Sequence, residues 1–97
     1  GATEIIDLGA ADRVALTAEI DAAARALRAV VPCDKLNIAA LGNMVPQLHV
    51  HVIARRTTDA AWPRPVWGAV AARAYDPPAL SALVAALRGK LTPEPPP

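Results

Sequence analysis

Apolar residues recur every three or four positions over a long stretch near the start of the chain. Between Ala10 and about Val30 they are Val14, Leu16, Ile20, Ala23, Leu27 and Val30, with charged residues between them. This spacing places one apolar stripe along a helix, and the many alanines of the stretch favour the helical backbone. Pro32 has no backbone amide to donate, so we expect the helix to end just before it.

The middle of the chain changes to a pattern typical of β-strands. Residues 35–41 (KLNIAAL) predict a first strand, and the Gly42-Asn43 pair predicts a tight turn. Residues 44–55 (MVPQLHVHVIAR) alternate and contain β-branched side chains, which predicts a second, longer strand. The two strands would form an antiparallel hairpin. Before the long helix, residues 3–8 predict a short extended segment at a sheet edge.

The last third of the chain predicts a loop followed by a helix. Residues 56–75 contain prolines and two tryptophans without a clean period, which indicates an ordered loop. Asp76 followed by two prolines is a good helix start, and apolar residues then line one face as far as Gly89. We therefore predict one α+β domain over residues 1–91, with a mostly antiparallel sheet, one long helix and one C-terminal helix. The proline-rich tail, 92–97, is expected to be disordered.

Composition narrows the classes of function. The net charge is only +1 and both signs are interspersed, which argues against DNA or RNA as the main ligand. The single cysteine, Cys33, cannot form an internal disulfide and is expected to be a small buried side chain in a reducing compartment. No run of about eighteen apolar residues and no signal peptide is recognisable. We expect a cytoplasmic protein without a membrane partner.

Both histidines of the chain lie close together in the second predicted strand. Alternation along a strand would put Gln47, His49 and His51 on one face and the apolar residues between them on the other. Three interpretations remain open at this point. The histidines are ordinary half-exposed strand residues, or they are two ligands of a metal that lacks an obvious third, or one is a nucleophile that attacks phosphorus.

The segment LGNMVPQLHVHVIARR, followed by AWPRPVWG, resembles the bacterial histidine triad (HIT) family, in which three histidines alternate with hydrophobic residues. The resemblance covers roughly residues 3–67. It implies that His49 is a nucleophile that becomes a nucleotidyl-histidine, and that His51 contacts phosphate and orients His49. Gln47 stands in place of the first triad histidine, as in a subgroup with glutamine there. Glutamine can hydrogen-bond a leaving group but cannot protonate it as an imidazolium would.

The resemblance also implies residues that bind the substrate. A phosphate-holding turn falls on Gly42, Asn43 and Met44, where a glycine lets backbone amides approach an anion closely. Asn37 is similar to an asparagine that the family uses near the α-phosphate. Arg55 and Arg56 are candidates for neutralising a polyphosphate. Trp62 and Trp67 are candidates for bordering the site or a dimer contact, with plain packing as the alternative.

The activity implied by this resemblance is hydrolysis or nucleotidyl transfer at the α-phosphate of dinucleoside polyphosphates, such as diadenosine polyphosphates, or of nucleoside phosphoramidates. No metal or other cofactor is implied. Family members usually carry further N-terminal strands, which are not visible before Gly1, so we expect a bare sheet edge and a homodimer. The alternatives are a nucleotide-binding or scaffold protein without turnover, and a small metal-binding β-protein that uses His49 and His51.

Overall fold

The computed structural model describes residues 2–91, and the predicted tail lies outside them. The described chain has an α+β architecture, which confirms the predicted class. Its elements, in order, are a 3-10 turn (Ile5–Asp7), α1 (Ala10–Val30), β1 (Lys35–Ala40), β2 (Val50–Arg55) and α2 (Pro77–Leu91).

Helix α1 has the bounds that the apolar spacing predicts. Its last turn is closed by the amide of Val31, which donates to the carbonyl oxygen of Leu27 at 2.8 Å, and Pro32 follows at once. Ala26 is the most buried residue of the helix, at 5% exposure. Helix α1 contacts both β2 and α2, so it forms the layer behind the sheet.

The segment before α1 is not extended, contrary to the prediction for residues 3–8. Residues 5–7 form a single 3-10 turn, in which the amide of Asp7 donates to the carbonyl oxygen of Glu4 at 3.1 Å. The carboxylate of Asp7 caps the turn by accepting hydrogen bonds from the amides of Glu4, at 2.9 Å, and Thr3, at 3.3 Å. They also lower the pKa of Asp7, with the Glu4 amide as the largest cause. Local side-chain bonds of this kind compete with strand formation.

Strands β1 and β2 pair antiparallel, with Lys35 opposite Arg55 at one end and Ala40 opposite Val50 at the other. The hairpin is confirmed, but the predicted start of its second strand at Met44 is wrong. Residues 41–49, called the site loop below, connect the strands in place of a tight turn. Pro46 has no amide to offer a strand ladder, and Gly42 turns the backbone at a φ of 91°.

Residues 56–76 contain turns but no helix or strand, as predicted. Helix α2 continues through Gly89 to Leu91, two residues beyond its expected end. Within residues 2–91 the other buried residues are Ala61, at 3% exposure, and Arg55, at 2%, so the most buried large side chain there is a charged one. No helix among residues 2–91 is long and apolar enough to cross a bilayer.

Candidate active site

His49 is the last residue of the site loop, immediately before β2, and its side chain is exposed. Its Nδ1 lies 2.7 Å from the backbone carbonyl oxygen of Gln47. A carbonyl oxygen only accepts hydrogen bonds, so Nδ1 carries the proton and donates it. In the neutral ring Nε2 then keeps its lone pair, which is the form that a nucleophile or a general base needs.

His51 is the second residue of β2, opposite Ala39 of β1, and is half-buried. Its ring meets that of His49 edge to face, with 5.1 Å between centroids, and that of Trp67 in the same way at 5.2 Å. The prediction that both histidines stand on a strand is wrong for His49, because β2 begins one residue later. The structure nevertheless brings the two imidazoles together.

The site loop is folded tightly against His49 at Gly42. A Cβ atom at this position would lie 3.2 Å from the carbonyl oxygen of Val45, 3.5 Å from that of Gln47 and 3.9 Å from Cε1 of His49. The carbonyl of Val45 is itself held by the amide of Gln47 at 2.8 Å. Since φ is 91° here as well, glycine is the residue that this loop conformation requires.

The loop, the two histidines and Trp67 border an open pocket of about 320 Å³. Its lining residues are Leu41, Gly42, Asn43, Met44, Val45, His49, His51 and Trp67. Within residues 2–91 the backbone amides of Asn43 and Met44 donate to no other backbone group, so both can bind an anion. Leu41 and Val45 were missed by the sequence reasoning, although they flank the Gly42-Asn43 pair that signalled the turn.

Gln47, which the sequence predicts in place of the first triad histidine, contacts His49 through its backbone. Its carbonyl fixes the ring of His49, while its exposed side chain is not among those that line the pocket. An exposed amide beside the pocket is free to turn towards a substrate. A role for this side chain at the leaving group stays a prediction.

The expectation that Arg55 binds polyphosphate is wrong, because its side chain is only 2% exposed and its guanidinium already makes four hydrogen bonds to protein groups. Nε and Nη2 bind the two carboxylate oxygens of Asp59, at 2.8 and 3.0 Å, and Nη2 also donates to the carbonyl oxygen of Arg64 at 2.8 Å. Nη1 donates to Oδ1 of Asn37 at 2.8 Å. A buried cation needs such partners, which is why these groups converge.

The contacts of Arg55 also change the pKa of Asp59 and engage the side chain of Asn37. The Arg55 guanidinium holds the pKa of the Asp59 carboxyl well below its usual range; burial opposes this shift, and the amides of Arg56 and Trp62 add to it. The hydrogen bond to Asp59 likewise raises the pKa of Arg55. Asn37 faces this ion pair and is not among the residues that line the pocket. Its role at the α-phosphate stays a prediction.

In the described part of the chain, the side chains near the two histidines do not complete a metal-binding site. Among residues 2–91 no group of three or more His, Cys, Asp or Glu side chains is placed to hold a metal ion. The two imidazoles thus lack the third protein ligand that zinc and similar ions normally take. The arrangement suits nucleophilic attack on an anionic substrate better than metal coordination.

Known structures share this fold over nearly the whole chain. A histidine triad protein from Bradyrhizobium japonicum has a TM-score of 0.90 and 57% identity, over 93% of this chain and 67% of that one. A histidine triad (HIT) protein from Sinorhizobium meliloti has a TM-score of 0.87 and 40% identity, again over 93% and 67%. A histidine triad protein from Marinobacter aquaeolei has a TM-score of 0.86 and 40% identity, over 94% and 66%.

The chain therefore spans about two thirds of the length of each of these proteins. No curated protein gives a significant match. The family model described as the HIT domain matches residues 1–58, which include the site loop, both histidines and all of β1 and β2. Because that match covers more than half of the chain, and the structural relatives agree with it in fold and name, the chain belongs to the HIT domain family.

Proposed function

We propose that this protein is a nucleotide hydrolase or nucleotidyl transferase that acts at an α-phosphate through a covalent nucleotidyl intermediate on His49. The observation that carries the proposal is the hydrogen bond from Nδ1 of His49 to the Gln47 carbonyl. It orients the ring and leaves the Nε2 lone pair available beside a pocket lined by Asn43 and Met44, whose amides donate to no backbone group within residues 2–91.

In the proposed reaction Nε2 attacks the α-phosphorus and forms a P–N bond while the bond from phosphorus to the leaving group breaks. Water then attacks the same phosphorus, the P–N bond breaks, and a nucleoside monophosphate is released with the ring restored. The amides of Asn43 and Met44, together with His51, stabilise the negative charge that develops on the phosphoryl oxygens. Gly42 allows those amides to approach the phosphate.

We propose that the protein belongs to a branch of the family with glutamine, here Gln47, in place of the first histidine. An amide can donate a hydrogen bond to a departing oxygen or nitrogen but cannot transfer a proton to it at neutral pH. The leaving group must then take its proton from water or depart as an anion. Turnover should accordingly depend more strongly on the acidity of the leaving group than it would with histidine at this position.

The substrates we propose are adenosine phosphoramidates and dinucleoside polyphosphates, including diadenosine polyphosphates, without a metal cofactor. We further propose a cytoplasmic homodimer with no nucleic acid or membrane partner. These proposals rest on membership of the HIT domain family, on the pocket geometry and on the near-neutral charge of the chain.

A second candidate function is nucleotide binding without turnover, in a scaffold or sensor role. Gln47 favours it, because a site without an acid at the leaving group is slower on poor leaving groups. A metal-binding β-protein is the third candidate and would need a ligand in addition to His49 and His51.

The test is turnover of an adenosine phosphoramidate and of a diadenosine polyphosphate by the full-length protein, with and without a chelator. His49→Ala is the informative variant, and Arg73→Lys, an exposed charge-conserving change, is the matched control. We expect AMP release that the control keeps and His49→Ala abolishes. Nucleotide binding without any AMP release would support the second candidate, and loss of activity with chelator would support the third.

A further inference from the structure

Trp67 reaches the candidate active site from an irregular part of the chain. Its indole packs edge to face on His51, at 5.2 Å, yet the residue is 43% exposed and lies outside any helix or strand. Partial burial of this kind gives an aromatic ring limited stabilisation. The contact with His51 alone therefore holds Trp67 weakly, and the attachments of the segment before it become relevant.

Residues 56–67, called the return segment here, are held in their middle by Arg55. The guanidinium of Arg55 donates to the carbonyl oxygen of Arg64, three residues before Trp67, at 2.8 Å. It also lies over the ring of Trp62, with 5.6 Å from Cζ to the ring centroid. Two points of the return segment are thus attached to one buried side chain.

Asp59 provides a third attachment and orders the turn that leads to Trp62. Besides its two bonds to Arg55, its carboxylate accepts the amides of Ala61 and Trp62, at 3.0 and 2.7 Å. Arg55 uses four donor bonds in all, including the one to Asn37 on β1. This set of contacts, called the Arg55 clamp below, needs the planar fork of a guanidinium, and a lysine ammonium cannot reproduce it.

The geometry of β2 connects the clamp with the histidine. His51 and Arg55 are four residues apart on one strand, so their side chains lie on the same face, separated by about 13 Å. The chain leaves the strand at Arg55, turns through Asp59, and comes back along that face until Trp67 meets His51. The Arg55 clamp thus holds the return segment near Arg55, and the contact between Trp67 and His51 lies at its other end.

We propose that Arg55 is a positioning residue for the candidate active site. Through the clamp it holds the return segment so that Trp67 packs against His51, whose ring in turn packs against His49. None of the groups that Arg55 hydrogen-bonds belongs to the pocket lining. The kinetic part of this inference rests on the proposed function, whereas the structural part does not.

The structural test uses the full-length protein labelled with 5-fluorotryptophan and observed by ¹⁹F NMR, with the Trp67 signal assigned from Trp67→Phe. The test variant is Arg55→Lys. The control is Arg64→Lys, which changes an exposed guanidinium in the same segment but keeps the backbone carbonyl that Arg55 binds. We expect the Trp67 resonance to shift and broaden in Arg55→Lys and to stay in place in Arg64→Lys.

The kinetic test is a double-mutant cycle between Arg55→Lys and Trp67→Ala, measured as kcat/KM for an adenosine phosphoramidate. If Arg55 acts through Trp67, Arg55→Lys lowers kcat/KM by about 10-fold in the native background and by less than about 2-fold when Trp67 is already absent. A residue that only stabilises the fold would give the same loss in both backgrounds. That result would overturn the inference.

Asp59→Asn provides a second route if Arg55→Lys does not fold, since it weakens the same clamp while keeping a side-chain oxygen that can accept the amide bonds. It should move the Trp67 signal in the same direction. An unchanged Trp67 signal in a folded clamp variant contradicts the proposal. If no turnover is found at all, the proposed function fails, but the NMR comparison still decides whether Arg55 positions Trp67.

Discussion

Replacing Gly42 by alanine measures how tightly the site loop is folded against His49. At a φ of 91° an L-residue is strained, at a cost of about 1–2 kcal/mol. The added Cβ would also lie 3.2 Å from the carbonyl oxygen of Val45, which is backbone and cannot rotate away as a side chain could. We therefore expect Gly42→Ala to lower the free energy of unfolding by roughly 2–3 kcal/mol in total.

Two other glycines separate the cost of backbone strain from the cost of the steric contact. Gly68 also has a positive φ, of 71°, but a Cβ there would meet no atom within 4 Å, so Gly68→Ala should show the backbone cost alone. Gly89 lies inside α2 with open space around it, and alanine there should stabilise the helix by about 0.5–1 kcal/mol. From most to least stable, the predicted order is Gly89→Ala, wild type, Gly68→Ala and Gly42→Ala.

Urea unfolding of the full-length protein gives these free energies, and AMP release from an adenosine phosphoramidate gives the functional effect. Gly42→Ala disturbs the two carbonyls that order the site loop and the ring of His49, so we expect kcat to fall by at least about 10-fold. Gly68→Ala should keep kcat within about 2-fold. Equal stability losses for the two variants, or full activity in Gly42→Ala, would refute the proposed packing of the loop.

Three further predictions concern other groups. The pKa of Asp59 is depressed in the folded protein, so the carboxylate stabilises the fold above its ordinary pKa of 3.8, and this stabilisation is lost as the pH falls below 3.8. The free energy of unfolding in urea should therefore depend less on acid pH in Asp59→Asn than in an Asp12→Asn control. Gln47→His should raise turnover of phosphoramidates with basic amine leaving groups by at least about 10-fold, measured by AMP release, whereas no gain would argue against a leaving-group role. Exhaustive chelation should leave AMP release from the wild type unchanged, and a loss that zinc restores would contradict the metal-free mechanism.

The local parts of the fold could be predicted because their causes are local. The spacing of apolar residues predicts the extent of α1, and Pro32 explains why the helix ends at Val30. Alternation predicts the hairpin but not where β2 begins. The sequence VPQLH at residues 45–49 has a strand-like pattern. Pro46 and the positive φ of Gly42 nevertheless keep residues 41–49 out of the hydrogen-bonded sheet.

The environment of Arg55 could not be predicted in the same way, because alternation gives the face of a strand but not what covers it. The return segment folds over that face and buries Arg55, which converts an expected phosphate ligand into a structural cation. The spacing of Arg55 and Asp59 was a weak signal for their ion pair, since four residues bring charges together reliably only in a helix. The placement of Trp67 on His51 depends on the same non-local path.

The central claim is that His49 forms the covalent bond to phosphorus, and trapping that bond tests it most directly. The full-length protein would be mixed briefly with an adenosine phosphoramidate, quenched in base to preserve phosphoramidate bonds, and analysed by intact-mass and peptide mass spectrometry. We predict one adenylyl group on His49 that disappears on a chase without substrate and never forms in His49→Ala. An adduct on another residue, or AMP release that continues undiminished in His49→Ala, would contradict the claim.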